Sequence, residues 1–101
     1  MNKSVKYSKE AVNELDDIWE YISNNLKNGK AANDTIQGIM DSVEVLKRFP
    51  ESGAIWKLPN GDNSGYRFVV YKRYLTFYRF DTDRIYVDRI IYAGRNILRL
   101  L

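Results

Sequence analysis

Apolar residues recur at Ala11, Leu15, Ile18, Ile22 and Leu26 with the spacing of one helical face, while Glu14, Asp17 and Glu20 mark the opposite face. Ser8 stands just before this stripe and offers a hydroxyl as an N-cap, and Glu10 sits in the first turn, where the helix dipole favours a negative charge. The run NNLKNGK, with Gly29 and several asparagines, ends the helix and turns the chain. A second stripe, Ala32, Ile36, Ile39, Val43 and Leu46, predicts a helix from about Lys30 to Arg48, stopped by Pro50 and Gly53. Two amphipathic helices with a short connection form an antiparallel hairpin. Each has a single apolar face, so the pair must cover something else.

The remaining pattern is that of strands. Val5 and Tyr7 alternate with lysines in a brief strand before the first helix. The segment ESGAIWKLPNGDNSG reads as a loop anchored by Trp56 and Leu58. Three strands follow at about 66–71, 74–80 and 84–92, joined by the tight pair Lys72–Arg73 and the turn-rich Asp81–Thr82–Asp83. The order β-α-α-β-β-β predicts one α+β domain over residues 1–101, its helical hairpin packed on one face of a twisted, mainly antiparallel sheet.

Alternation along the strands sorts their side chains into two sets. A two-residue link sets Tyr71 opposite Tyr74 and Arg67 opposite Tyr78; a three-residue link sets Phe80 opposite Arg84. On these registers Phe68, Val70, Leu75, Phe77, Ile85, Val87 and Ile91 form the face expected to meet the helices. Arg79 and Arg89 intrude on that face and need partners, for which Asp16, Asp17 and Glu44 are the candidates. The other face carries Arg67, Val69, Tyr71, Tyr74, Thr76, Tyr78, Phe80, Arg84, Tyr86, Asp88, Ile90 and Tyr92. Tyrosine mixed with arginine suits a binding surface, and equally suits stacking and phosphate contacts with nucleic acid. A one-residue slip would exchange the faces.

Charge sharpens this picture. Residues 1–51 hold seven basic and nine acidic residues; residues 52–101 hold nine basic and four acidic, with seven of the eight arginines. Segregated positive charge favours a polyanion or an acidic protein surface. The chain has no cysteine and no histidine, which removes a thiolate metal site, the commonest zinc ligand and the commonest general base. No metal and no cofactor are expected. No apolar run approaches membrane-spanning length, and the polar N-terminus is unlike a signal peptide, so a soluble, cytoplasmic protein is expected.

Read end to end, the chain resembles the RelE/ParE toxins of type II toxin–antitoxin systems. The resemblance lies in VKYSKEAVNELDDIWEYI, in VEVLKRFPESG, in GYRFVVYKRYLTFYRF and in the ending VDRIIYAGRNILRLL, and it is closer to the ParE branch. It implies a growth-inhibiting toxin, of the kind that stabilises plasmids, neutralised by a cognate antitoxin through which alone it reaches operator DNA. Two activities occur in the family. RelE-like members are ribosome-dependent mRNA endoribonucleases; ParE-like members poison DNA gyrase and block replication.

Cleavage of RNA requires proton transfers at a ribose hydroxyl and at the leaving oxygen. Arg67 matches the family's sheet arginine, Arg95 the arginine after the last strand, and Lys57 loosely the lysines before the sheet. These three would be the catalytic set of a nuclease. Yet no tyrosine follows Tyr92, and arginine stays protonated, so it grips phosphate without moving protons. The resemblance therefore implies the gyrase poison, with no chemistry of its own, and with Arg67, Tyr78, Tyr86, Arg95, Arg99, Leu100 and Leu101 as target contacts. Ribosome and mRNA remain the alternative target.

Overall fold

The computed structural model describes residues 3–94. Within them the order is β1 (Ser4–Tyr7), α1 (Lys9–Asn25), α2 (Gly29–Glu44) with a short 3-10 turn at Val45–Lys47, β2 (Ala54–Lys57), β3 (Asn63–Tyr71), β4 (Tyr74–Phe80) and β5 (Arg84–Tyr92). The five strands form one open sheet in the order β1-β5-β4-β3-β2. Only β1, parallel to β5, departs from antiparallel pairing. The fold is α+β, as the pattern predicts, with a fifth strand where a loop was expected.

Both helices start as local chemistry dictates. Ser8 Oγ accepts from Ala11 N at 3.0 Å, and Asn28 Oδ1 accepts from Ala31 N at 3.0 Å. The turn between the helices does not rest on Gly29, which is the first residue of α2; Lys27 takes the left-handed conformation instead, at φ 50°. Strand β2 comes from the segment read as a loop. It pairs with β3 through Ala54 opposite Phe68, Ile55 opposite Arg67 and Trp56 opposite Tyr66. Trp56 is an anchor as expected, its indole edge-on to Phe68 and Phe77 at 5.8 and 5.3 Å between ring centroids. The Leu58 side chain is exposed, and the residue holds the segment through its main chain, its amide donating to the Asp62 carbonyl and its carbonyl accepting from Gly61 N, each at 2.8 Å.

The β3–β4 register is the expected one, with Tyr71 opposite Tyr74 and Arg67 opposite Tyr78. Its sidedness is reversed. The main core joins Ala11, Ile39, Val43 and Leu46 of the helical hairpin to Tyr78, Ile85, Val87 and Ile90, with Val69, Tyr71, Tyr74 and Phe80 packed around them. The tyrosine-bearing set of β3 and β4 thus meets the helices, and Phe68, Val70, Leu75 and Phe77 lie on the opposite side by alternation. The hydroxyls do not prevent this, because a tyrosine near the border of a core buries its ring and turns its oxygen to a partner.

Strand β5 departs twice from the expected register. Phe80 faces Ile85 and not Arg84, which puts Ile85 and Val87 on the core side. A bulge then restores the original phase: Tyr78 faces Val87 but Phe77 faces Arg89, so Asp88 is the extra residue and Ile90 again points inward opposite Thr76. Glu14 of α1 supports the bulge. Its carboxylate accepts from Ile90 N at 2.9 Å and from Arg89 Nη2 at 2.8 Å. Neither arginine pairs with Asp16, Asp17 or Glu44: Arg89 takes Glu14, and Arg79 takes Asp88 of the neighbouring strand. Replacing Glu14 with alanine should strand the half-buried Ile90 amide at a cost of about 1–2 kcal/mol. Urea unfolding checks the loss, and faster hydrogen exchange at Ile90 shows its place.

At the other edge of the core, burial with a contribution from the Glu44 carboxylate pushes the Tyr7 phenol from 10.0 up to about 12. The folded protein therefore holds this proton where the unfolded chain releases it. The associated stability is complete below about pH 10 and declines toward about pH 12. Denaturation midpoints measured across that window should fall, in step with delayed tyrosinate absorbance.

Candidate functional site

Arg67 is the middle residue of β3, opposite Ile55 of β2 on one side and Tyr78 of β4 on the other. Its Nη1 donates to the carbonyls of Glu51 and Gly53 at 3.1 and 3.0 Å, which ties the guanidinium to the loop entering β2. Opposite it, Tyr78 is fully buried. Its hydroxyl donates to the Pro50 carbonyl at 2.6 Å and accepts from Gly53 N at 3.0 Å. Burial raises the Tyr78 pKa above the ordinary phenol value. Expected as a target contact, Tyr78 is instead a core residue whose polar atom secures the same loop that Arg67 grips.

Tyr86 is half-buried on the sheet face away from the helices. Its hydroxyl donates to Asp81 Oδ2 at 2.9 Å, a bond that raises the Tyr86 pKa and contributes to holding the Asp81 carboxyl below its usual range. The main-chain amides of Asp83 and Arg84 are the larger causes for Asp81. The Arg79 guanidinium lies over the Tyr86 ring at 4.5 Å, and its Nε donates to Asp88 Oδ2 at 2.8 Å. The Tyr66 hydroxyl donates to the same oxygen at 3.1 Å. Hydrogen bonding to Asp88 keeps Arg79 firmly protonated.

A cleft of about 220 Å³ opens between β3 and β4, lined by Tyr66, Arg67, Tyr78, Arg79 and Phe80 among others, with Arg67 and Tyr78 from the helix-side face of the sheet and Tyr66 and Arg79 from the opposite one. Of the expected contacts the structure brings Arg67 and Tyr78 to this cleft, with Tyr86 beneath Arg79. Lys57 is exposed at the end of β2, outside the cleft lining. Arg95, Arg99, Leu100 and Leu101 lie outside the described residues. The chain leading to them is anchored at its start, where Arg73 Nη1 donates to the Gly94 carbonyl at 3.0 Å. Sequence reasoning missed Arg79, Tyr66 and Asp88 as site residues, because Arg79 was placed on the buried face. Its spacing of two from Phe77 ties it to that residue's face, so the available signal was the charge itself, which is costly on a buried face without a partner.

Chemically, the arrangement can grip an anion. The phenol pKa values of Tyr78 and Tyr86 are raised, chiefly by burial at Tyr78 and by the hydrogen bond to Asp81 at Tyr86, so both hydroxyls stay protonated at neutral pH. Among the described residues no group of three or more acidic side chains is placed to hold a metal ion.

The family model described as the ParE toxin of type II toxin–antitoxin system, parDE, matches residues 5–97. The chain belongs to the ParE toxin family. ParE membership makes it a type II toxin and implies a cognate antitoxin as partner. Among solved structures it resembles the chromosomal ParDE TA system from P. aeruginosa, with a TM-score of 0.73 and 22% identity, over 89% of this chain and 95% of that one. At that identity the likeness shows the shared fold. No curated protein matches. No helix among the described residues of this ParE toxin is long and apolar enough to cross a membrane.

Proposed function

We propose that this toxin arrests bacterial growth by binding DNA gyrase and holding it in its cleaved-DNA state, and that its cognate antitoxin blocks this by covering the contact surface. The observation that carries the reading is the state of the site arginines. Arg67 is fixed by two carbonyls and Arg79 by a carboxylate and an aromatic ring, and the raised pKa values of Tyr78 and Tyr86 keep these two phenols protonated at neutral pH. Such a site recognises and holds; it lacks the proton transfer that RNA cleavage demands. Arg67 and Tyr86, with Arg95, Arg99, Leu100 and Leu101 of the C-terminal segment, are the proposed contacts; Tyr78 acts behind them by holding the loop under Arg67.

Pulse-labelling of DNA and protein synthesis within minutes of induction in bacteria tests the reading. DNA synthesis should fall first while translation continues. Purified toxin should inhibit gyrase supercoiling, with Arg67→Ala and Arg95→Ala weakening inhibition in graded fashion. Early collapse of translation, with transcripts cut at defined codon positions, would replace this reading with a ribosome-dependent endoribonuclease using Arg67, Arg95 and Lys57.

A further inference from the structure

The face of the sheet turned away from the helices carries Phe68, Val70, Leu75, Phe77 and Ile91. Their burial is uneven. Trp56 stands edge-on to Phe68 and Phe77, which accounts for the 3% exposure of Phe68. Leu75 lies further along β4, next to the β3–β4 turn, and has no exposure at all. Its cross-strand neighbours, Val70 and Ile91, are 39% and 38% exposed. Neighbours in the same sheet stand beside a side chain and leave its tip open, so closing the tip takes a second layer. Among the described residues neither helix supplies that layer. Both helices meet the other face, and Leu75 is not a member of the core they build with it.

The path of the chain points to what closes over Leu75. Ala93 N donates to the Arg73 carbonyl at 2.8 Å, and Arg73 Nη1 donates to the Gly94 carbonyl at 3.0 Å. The chain beyond β5 is thus pinned to the β3–β4 turn, two positions from Leu75. Gly94 has φ 56°, a left-handed conformation that ends the line of the strand. Ile97 and Leu98 follow it by three and four residues. Even a fully extended chain places them within about 10–14 Å of Gly94, while β4 advances only about 7 Å from Arg73 to Leu75. We propose that Ile97 and Leu98 dock on the outer face of the sheet, over Leu75 and between Val70 and Ile91, as its second layer. A second copy of the chain fits this place poorly. The apolar surface left open is the remainder of Val70 and Ile91, far below the roughly 800 Å² per partner of a stable interface. The docking rests on this packing alone. Under the gyrase reading it would also fix the path of Arg95, Arg99, Leu100 and Leu101, the proposed target contacts.

The test is methyl NMR of the full chain, made by cell-free synthesis with labelled isoleucine, leucine and valine. The expected result is nuclear Overhauser contacts from the Ile97 and Leu98 methyls to those of Val70, Leu75 and Ile91, unchanged on dilution. Joint replacement Ile97→Ser and Leu98→Ser should shift the Val70, Leu75 and Ile91 signals and leave those of Ile39, Val43 and Val87, in the core on the other face, in place. Absence of the contacts in the parent protein overturns the docking, whatever the variant does. Contacts seen only between molecules, in a mixture of labelled and unlabelled protein, assign the layer to a second copy and overturn it as well. The induction experiment is independent of both results and can fail with the docking intact.

Discussion

Replacing Tyr78 with phenylalanine should lower the stability of the fold by about 2–3 kcal/mol, although the ring and its packing are retained. The hydroxyl is the only part removed, and it serves two main-chain groups at once: the Pro50 carbonyl at 2.6 Å and the Gly53 amide at 3.0 Å. Gly53 is buried, so water cannot replace the lost acceptor without opening the loop. Leaving a buried amide and a partly buried carbonyl without partners costs about 1–3 kcal/mol each, and relaxation of the loop recovers part of the sum. Urea unfolding should show a lower midpoint with an unchanged slope. A loss below about 0.5 kcal/mol, the range of ordinary surface substitutions, would mean that the hydroxyl does not hold the loop. Because Arg67 donates to the Glu51 and Gly53 carbonyls, the same variant should also loosen the arginine, and under the gyrase reading proposed above inhibition should weaken more than the folded fraction alone accounts for.

The second large effect is expected from Gly53→Ala, by the opposite means. A methyl group at Gly53 would lie 2.5 Å from the Tyr78 hydroxyl, 2.7 Å from its ring and 2.9 Å from the Phe68 carbonyl oxygen. Two of these neighbours belong to a side chain with no exposure at all, and the third is main chain of a paired strand. None can retreat cheaply, so overpacking should cost about 2–3 kcal/mol. The two substitutions are coupled. In the Tyr78→Phe protein the nearest of the clashing atoms is gone, and Gly53→Ala should cost about 1 kcal/mol less there than in the parent. Thermal or urea unfolding of the four proteins of this cycle measures that difference. Strict additivity would show that the methyl group is accommodated by movement of the loop away from Phe68, not by conflict with Tyr78.

The elements of this fold are legible because they follow from local chemistry. Stripes at helical spacing and side-chain caps at Ser8 and Asn28 define the helices, and a two-residue link sets Tyr71 against Tyr74. Family membership is legible for a related reason: it resides in the order of such local segments along residues 5–97. Strand β2 was not legible. Ala54–Lys57 is too short and too flanked by glycine and proline to declare itself, and it becomes a strand only when β3 offers an edge.

What alternation cannot decide is which side of a strand turns inward. Tyrosine and arginine on one set, leucine and phenylalanine on the other, suggested the wrong side for β3 and β4. A buried tyrosine is costly only while its hydroxyl lacks a partner, and the partners of Tyr78 lie 25 and 28 residues away. The bulge at Asp88 likewise has its support in Glu14, which reaches Ile90 from another element, whereas the one-residue shift at the β4–β5 turn is held by Asp81, whose carboxylate accepts from the amides of Asp83 and Arg84. The cleft between β3 and β4 opens where β3 runs on beside β2 while β4 runs on beside β5. The sequence by itself determined the helices, the hairpin and the family, since each rests on neighbours in the chain. The tertiary structure alone decided the inward face and the setting of Tyr66, Arg67 and Tyr78, whose hydrogen-bond partners lie 14 to 28 residues away in the chain.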